Sequence, residues 1–511
     1  MKKLIYITIA AVLFLTAGCN EELIDLENPN QYTEATYFKT ADQCREAVNA
    51  AYGGLYFEGL WVREWYFIFD LLGNEASPAS PLQGTLAEFN NYQYDGTNNW
   101  LNEMWQSLYR IVLRSNIAIT KINEADQVED ETLKSRLIAE AKFLRGWAYF
   151  QLASLWGDVP LREDYESTKD RETHNMARSS KSEVLDFVET SLTEAISDLP
   201  ASYDEQNVGR ITKGAAQALL GKVYLYREKF DQAITQFENV ENSGQYALLD
   251  DFTHNFLSEY DNNSETIWEV QLEQTGGNPY WMFGGQEGWG SMASHSGRAM
   301  EYGWNDWGNV YFSSDAVEAF RYDSAGTATT YIDPRAAMTF YGSEEIGDTT
   351  YCDYCTDGPQ SYPFDEQGYR FKKYNRYEYV EKENFPQSSI NGVVIRYADV
   401  LLMHAEALIR GGGSESEAIA LINQVRDRVG AYPYDLAEED ESALELLIRE
   451  RRCELAGEQK RFFDLVRWGT LQETLNAEFG DQRVKSRHSK FPVPSSELDA
   501  NKAIEVENGW N

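Results

Sequence analysis

Residues 132–161 read TLKSRLIAEAKFLRGWAYFQLASLWGDVPL, and this stretch decides the fold class. Apolar residues recur in it at alternating intervals of four and three, which places them on one stripe of a helix: Leu137, Ala141, Leu144, Ala148, Leu152 and Leu155. Gly157 and Pro160 end the helix. Bulky aromatic residues flank the stripe, which indicates that other helices pack on more than one side. The stretch therefore predicts a buried helix within a helical array.

A repeat further along the chain supports the same architecture. In Ala215 to Tyr246, Leu220-Gly221, Tyr224, Ala233 and Phe237 stand at the offsets of a tetratricopeptide unit. A fainter copy lies in Ala405 to Arg428. Because one such helix pair cannot bury its own apolar face, several pairs must stack. The 132–161 helix is a natural member of this stack.

The segment AEAKFLRGWAYFQLASLWGDVPL resembles the signature helix of the SusD/RagB family, and four later blocks extend the resemblance. These blocks are RYADVLLMHAEALI (396–409), LINQVRDRVG (421–430), LLIRERRCELAGEQKRFFDLVRWG (446–469) and FPVPSSELDAN (491–501). Asp333-Pro334-Arg335 also resembles a turn common in the family. The resemblance implies a mainly α-helical SusD-like fold with a tetratricopeptide-type scaffold and a loop-rich ligand-binding region. It also implies an outer-membrane lipoprotein that captures nutrients for a SusC-like TonB-dependent transporter.

The start of the chain resembles a bacterial lipoprotein signal. Lys2 and Lys3 precede an apolar run too short to span a bilayer, as in an export signal. Residues 15–19, LTAGC, resemble a lipobox, so residues 1–18 are predicted to be removed and Cys19 to carry the lipid. The alternative is a plain secretory signal with a chance cysteine. Residues 19–31 are acidic and aperiodic, and are interpreted as a flexible tether at the cell surface.

Three regions follow the tether. Residues 32–250 are predicted to form an N-terminal helical region, in which a loop-rich span carrying Trp61 and Trp65 separates two helices, 41–55 and 101–123. A capping box at Ser180 and Glu183 opens a later helix. Residues 251–390 lose helical periodicity and are predicted to be a loop-rich binding region, with a strand at 265–272 and a helix only at 315–322. Residues 391–511 complete the helical scaffold.

Composition limits the class of ligand. The chain carries 83 Asp and Glu against 45 Lys and Arg, a formal net charge of −38, so its surface repels nucleic acid and anionic lipid. It also has 32 Tyr, 24 Phe and 13 Trp. Many aromatic residues in so acidic a chain favour neutral, sugar-like or peptide ligands.

No catalytic, cofactor or metal motif is evident. Cys352 and Cys355 have CxxC spacing, but no second pair of zinc ligands stands near them, so a local disulfide or free thiols are preferred to a metal, and redox catalysis is a distant alternative. Nucleotide-binding and hydrolase signatures are missing from the sequence. We therefore expect a binding protein without a cofactor, not an enzyme.

The predicted ligand site rests on aromatic residues that follow no period. Sugar rings pack their C–H faces on indole rings and need donors and acceptors at the rim. The predicted ligand-binding residues are Trp281, Trp289, Arg298, Tyr302, Trp304, Asn305 and Trp307, helped by Trp61 and Trp65. The competing interpretation is that these rings close a loop-rich core.

The resulting prediction is a cell-surface protein that binds oligosaccharides and delivers them to a SusC-like transporter. A peptide-capturing member of the same family is one alternative. A surface glycoside hydrolase is a weaker one, because with 83 acidic residues some pair of carboxylates will always seem available.

Overall fold

The computed structural model describes residues 37–79, 84–169, 175–273, 295–324, 329–351, 358–375, 388–505 and 510. The predicted signal peptide and tether, including Cys19, lie outside these ranges, as do Trp281, Trp289, Cys352 and Cys355. Each helix within the described ranges is too short or too polar to cross a membrane.

Helices dominate the structure. The helices of the first half are α1 (Ala41–Tyr52), α2 (Glu64–Leu72), α3 (Gly84–Asn90), α4 (Asn99–Asn123), α5 (Glu131–Trp156), α6 (Glu166–Lys169), α7 (Lys181–Asp198), α8 (Lys213–Tyr226) and α9 (Phe230–Glu241). The middle segment adds α10 (Arg298–Tyr302), α11 (Ser314–Glu318), α12 (Ala336–Thr339) and α13 (Phe364–Gln367). The last part contains α14 (Tyr397–Arg410), α15 (Glu415–Arg428), α16 (Ala443–Glu454), α17 (Arg461–Trp468), α18 (Leu471–Phe479) and α19 (Ser495–Ala500).

The strands are short and pair two by two. They are β1 (Ala76–Pro78), β2 (Thr266–Val270), β3 (Val310–Phe312), β4 (Arg321–Ser324), β5 (Thr329–Ile332), β6 (Phe340–Tyr341), β7 (Thr350–Tyr351), β8 (Gln360–Ser361), β9 (Arg370–Phe371) and β10 (Gly392–Arg396). The antiparallel pairs are β1–β3, β2–β10, β4–β5, β6–β9 and β7–β8. The first and second pairs connect segments far apart in the chain, so they tie the middle segment to the helical regions on either side.

Helix α5 confirms the prediction for residues 132–161. Asp130 caps it by accepting a hydrogen bond from the Leu133 backbone N–H at 2.9 Å, and Gly157 ends it with a φ of 78° that glycine adopts readily. All six residues of the predicted stripe are at most 1% exposed. Phe143 and Trp147 pack edge-to-face on Trp268 of β2, at centroid distances of 4.9 and 5.6 Å. The helix is therefore buried on several sides.

The helices form a continuous array. Helix α1 packs on α4, α4 on α5, α5 on α7, α7 on α8, α8 on α9, and α9 on α14, which contacts α15 and α16. At Gly221 in α8, an added Cβ would lie 2.6 Å from the ring of Phe237 in α9. Because residue 221 is glycine, the two helices of the predicted repeat can approach this closely.

The span between α1 and α4 differs from the loop-rich prediction. Residues 64–72, EWYFIFDLL, form α2, and each of them is buried. A helix that is apolar on all sides shows no 3.6-residue period, so periodicity could not reveal it. It lies inside the core and carries Trp65 there.

The middle segment is only partly as predicted. The strand predicted at 265–272 is confirmed as β2. The helix predicted at 315–322 is wrong in its second half, because α11 ends at Glu318 and Tyr322 belongs to β4, paired with Tyr331 of β5. Short helices that the sequence did not indicate occur at α10, α12 and α13. Residues 321–324 are extended because they pair with residues 329–332 in an antiparallel hairpin. The sequence pattern of residues 315–322 alone did not show this pairing.

A buried ionic network joins the middle segment to β10, α15 and α16. Its cations are Lys373, Arg335, Arg396, Arg426 and Arg428, and its carboxylates are Glu265, Asp333, Glu450, Glu454 and Glu458. Glu454 lies at its centre, with one oxygen 2.7 Å from Arg335 Nη1 and the other 2.5 Å from Arg428 Nη2. Burial alone would raise the pKa of Glu454, but Arg428, Arg396 and Arg335 lower it well below its usual value. The network attaches the Asp333-Pro334-Arg335 turn to α16.

Candidate ligand-binding site

Two of the predicted ligand residues, Trp61 and Trp65, lie in the core. Their exposed fractions are 7% and 4%, and their rings stack on each other at 5.5 Å. Trp65 also packs on Phe463 and Trp147, while an added Cβ at Gly392 would lie 2.9 Å from the Trp61 ring. In this conformation neither indole offers a face on which a ligand could stack.

Arg298 and Tyr302 are also interior residues. The Tyr302 hydroxyl donates a hydrogen bond to Asp70 Oδ2 at 2.7 Å, and Arg298 donates to the Gly457 carbonyl while its guanidinium lies 3.9 Å from the Tyr374 ring. Burial raises the pKa of Tyr302, and the neighbouring Asp70 carboxylate raises it further. These two side chains therefore anchor α10 to α2, and we assign them a positioning role beneath the surface.

Trp304, Asn305 and Trp307 do reach the surface, in the turn that follows α10. Trp307 is 38% exposed and is the only tryptophan among the described residues that counts as exposed. Trp304 is half-buried and meets Tyr351 edge-to-face at 4.8 Å. The side-chain carbonyl oxygen of Asn305 is buried and has no hydrogen-bond partner within the described part of the chain. An exposed indole in the same turn as a half-buried one is the kind of surface on which the C–H face of a sugar ring can pack.

Arg370 of β9 holds this turn in place. Its Nη1 donates to the carbonyl oxygens of Gly308 and Val310, both at 2.9 Å, and its guanidinium lies 3.8 Å from the Tyr311 ring. Burial lowers the pKa of Arg370, with the neighbouring Tyr311 opposing that shift. Because these bonds fix the backbone just after Trp307, the indoles are presented from a supported loop.

Two tyrosines that the sequence analysis did not select pack on Trp304: Tyr351 is half-buried, and Tyr362 is buried beneath the surface. Tyr362 meets Trp304 edge-to-face at 5.3 Å, donates its hydroxyl to the Gly368 carbonyl at 2.7 Å, and stacks on Tyr341 at 5.1 Å. Tyr351 belongs to the two-residue strand β7. The only sequence signal for these residues is an aromatic side chain in an aperiodic segment, and many other residues in this chain share it.

The described residues contain no group of three or more His, Cys, Asp or Glu side chains arranged to hold a metal ion. Three described carboxyls, those of Glu64, Glu75 and Asp261, have strongly raised pKa values, and at Glu64 the main cause is burial. Burial and the nearby Asp70 raise the pKa of Glu75 to about 8, and burial and Glu269 raise that of Asp261 to about 8. Glu75 accepts a hydrogen bond from the Gly457 N–H and Asp261 from that of Asn391, so both are held within the protein structure.

Comparison with known proteins identifies the family. Residues 264–510 match the family described as the SusD family (SusD/RagB), and residues 28–225 match the family described as "Starch-binding associating with outer membrane". The chain belongs to the SusD/RagB family. The resemblance predicted from the signature helix is thereby confirmed.

Individual SusD proteins match over nearly the whole chain. SusD-like protein P2 of Formosa agariphila is 27% identical, with 98% of each chain covered. The starch-binding protein SusD of Bacteroides thetaiotaomicron is 24% identical over 78% of each chain. A solved structure described as a laminarin-binding SusD-like protein is 25% identical, covers 92% of this chain and 99% of its own, and superimposes with a TM-score of 0.72. The mainly α-helical SusD-like fold predicted from the sequence is confirmed.

Proposed function

We propose that this SusD-family protein binds a neutral glycan at the outer-membrane surface, through the aromatic surface formed by Trp304, Trp307 and Tyr351. The observation that carries the proposal is the exposure of Trp307 in the same turn as Trp304, whose ring meets Tyr351 edge-to-face. A structural neighbour described as laminarin-binding and a relative described as starch-binding support a glycan as the ligand class.

The net charge favours an uncharged ligand. With a formal net charge of −38, the chain as a whole repels polyanions, whereas a neutral polysaccharide experiences no such repulsion. Binding then depends on short-range contacts, namely ring stacking and hydrogen bonds to hydroxyls. Such contacts are lost one at a time when individual side chains are truncated.

The test compares binding and melting for single alanine variants. We expect Trp307→Ala and Trp304→Ala to weaken binding to the responsive glycan, with laminarin and starch as the first probes, by about 1–3 kcal/mol. Trp307→Ala should lower the melting temperature less than Trp304→Ala, because Trp307 is the more exposed of the two. The matched control is Tyr260→Ala, which removes another exposed ring (39%) that stacks on His254. Calorimetric titration and thermal melts are run on each variant.

Trp281 and Trp289 remain predicted contacts and enter the same assay as alanine variants. If no tryptophan variant weakens binding selectively, the site lies elsewhere. Binding of unstructured peptides of 8–15 residues, with no response to any glycan, would favour the peptide-capturing alternative. Release of reducing sugar ends from a bound polysaccharide would instead favour the hydrolase alternative.

We further propose that Cys19 carries a lipid and is the anchor of the protein. The support is the LTAGC sequence together with the outer-membrane association in the description of the family that matches residues 28–225. Cys19→Ala protein should leave the membrane fraction during a salt wash, while the wild type stays. Retention of the variant after the wash would contradict the anchor.

Delivery to a SusC-like TonB-dependent transporter is the last part of the proposal. The helical array offers a broad rigid surface for a large contact, and residues 19–31 are a candidate hinge for a lid above a transport channel. Mild detergent extraction followed by affinity purification should recover the two proteins together. Recovery of this protein only as a monomer under those conditions would count against the partnership.

A further inference from the structure

A second aromatic cleft lies between the β4–β5 hairpin and the loop that joins α15 to α16. Its volume is about 200 Å³. Four tyrosines line it: Tyr322, Tyr331, Tyr432 and Tyr434. None of the residues that form the Trp304 surface contributes to this cleft, so the two features are separate.

The cleft presents a ready-made aromatic wall. The rings of Tyr331 and Tyr432 stack at 4.8 Å with 18° between their planes, and both are half-buried. Their hydroxyls make no hydrogen bond to any described residue, so both can donate to and accept from a ligand. Ile332, 37% exposed, lies at the rim of the cleft.

The charged side chains around the cleft are already paired. Arg426 Nη1 lies 2.7 Å from Glu450, Arg449 Nη1 donates to Glu441 at 2.6 Å, and Asp333 lies 2.6 Å from an arginine of the ionic network. A charged ligand would therefore find no free counter-ion among these groups. Stacked rings, free hydroxyls and paired charges together favour a neutral ligand with both C–H faces and hydroxyl groups.

We propose that this cleft binds one pyranose ring of a neutral glycan, as a second saccharide site of the chain. The volume of about 200 Å³ is below the range of about 300–1,000 Å³ for clefts that hold drug-sized molecules, and it suits a single sugar ring of about a dozen heavy atoms. Two separate sites on one protein would engage the same polysaccharide at two points, which strengthens retention of long chains more than of short ones.

The experiment observes the tyrosines directly. Full-length protein is labelled with 3-fluorotyrosine, and the ¹⁹F signals of Tyr331, Tyr432, Tyr351 and Tyr362 are assigned by single Tyr→Phe substitutions. The probes are the methyl glycosides of glucose, galactose and mannose, then maltohexaose and laminarihexaose. We expect the Tyr331 and Tyr432 signals to shift with at least one probe, and to do so equally in Trp304→Ala protein.

A gel-retardation assay in laminarin or starch adds a functional readout. In the Trp304→Ala background, Tyr432→Ala should weaken the remaining retardation at least about fivefold, the usual minimum for loss of an important contact. Ile332→Arg tests the same cleft without disturbing the buried rings, because Ile332 is exposed, and it should weaken retardation in the same direction. Tyr260→Ala is again the control and should change nothing.

The outcomes separate this proposal from the first one. Shifts of Tyr351 and Tyr362 without shifts of Tyr331 and Tyr432 would overturn the second site and leave the Trp304 surface supported. Shifts of Tyr331 and Tyr432 alone would support the second site and count against the first. The second site would be overturned if the Tyr432 signal shifted with peptides but with no sugar, or if it shifted with none of the probes.

Discussion

Replacement of Glu454 by glutamine should test whether the buried ionic network stabilises the fold. The Glu454 side chain is fully buried and lies against three guanidinium groups, those of Arg335, Arg396 and Arg428. Glutamine keeps the shape but removes one of the five negative charges that balance the five cations. The variant therefore leaves one buried positive charge uncompensated.

The expected cost is about 3–5 kcal/mol, the usual penalty for breaking a buried ion pair from one side. Unfolding entropy per residue implies roughly 1 kcal/mol per kelvin for a body of 450–500 residues, so Glu454→Gln should lower the melting temperature by about 3–5 °C. The pH dependence of this stabilisation follows from the lowered pKa of Glu454 in the folded protein. Its contribution is present above the pKa of the unfolded chain and is lost as pH falls toward the folded value, so the difference between wild type and variant should shrink below about pH 4.

Scanning calorimetry at pH 7 and at pH 3.5 would measure both effects. Asp499→Asn is the matched control, because it makes the same change from carboxylate to amide in an ion pair with Lys502 that is 88% and 69% exposed. That variant should melt like the wild type. If Glu454→Gln melts no lower than Asp499→Asn at pH 7, the network does not stabilise the fold as argued.

Three further predictions concern other parts of the chain. Gly221→Ala should cost about 1–3 kcal/mol in urea unfolding, because its Cβ would lie 2.6 Å from a facing phenylalanine ring, whereas Gly84→Ala, with no atom within 4 Å, should cost far less. Burial raises the pKa of Glu75 to about 8, so the folded protein binds a proton at Glu75 between about pH 4.5 and 8 that the unfolded chain releases, and wild-type stability falls over this range. Glutamine does not titrate, so the stability of Glu75→Gln relative to wild type should rise from pH 5 to 8 and level off above pH 8. Thermal melts across this pH range would measure the difference. Elemental analysis of purified protein should find no stoichiometric zinc at Cys352 and Cys355, and one zinc per chain would contradict this.

Local sequence was sufficient to predict a helix where apolar residues recur along one of its faces. The stripe from Leu137 to Leu155 places its residues on the buried side of α5. The predicted capping box is also present: the Glu183 backbone N–H donates to the Ser180 hydroxyl, and the Ser180 backbone N–H donates to the Glu183 carboxylate. The glycine at 221 and the phenylalanine at 237 were found at repeat spacing, and they meet in space. In each case the decisive residues lie within one helix or within one helix pair.

The candidate site was predicted less well for a definite reason. An aromatic residue without periodicity can face solvent or the core, and its sequence neighbourhood does not distinguish the two. Trp61 and Trp65 are buried because α2 inserts between other helices, while Trp307 is exposed because Arg370, far along the chain, holds its turn at the surface. The long-range partner decides the exposure.

The sequence by itself determined the helical scaffold, the family and a composition that is both acidic and rich in aromatic residues. Periodicity, caps and composition are properties of short segments, so they can be evaluated without knowing what packs on them. Only the tertiary structure decided which aromatic rings are exposed, that Glu140 of α5 is buried against Arg210, and that Glu454 is surrounded by three arginines. Those arrangements depend on contacts between residues tens to hundreds of positions apart, and the free energy of each contact depends on burial that no local segment specifies.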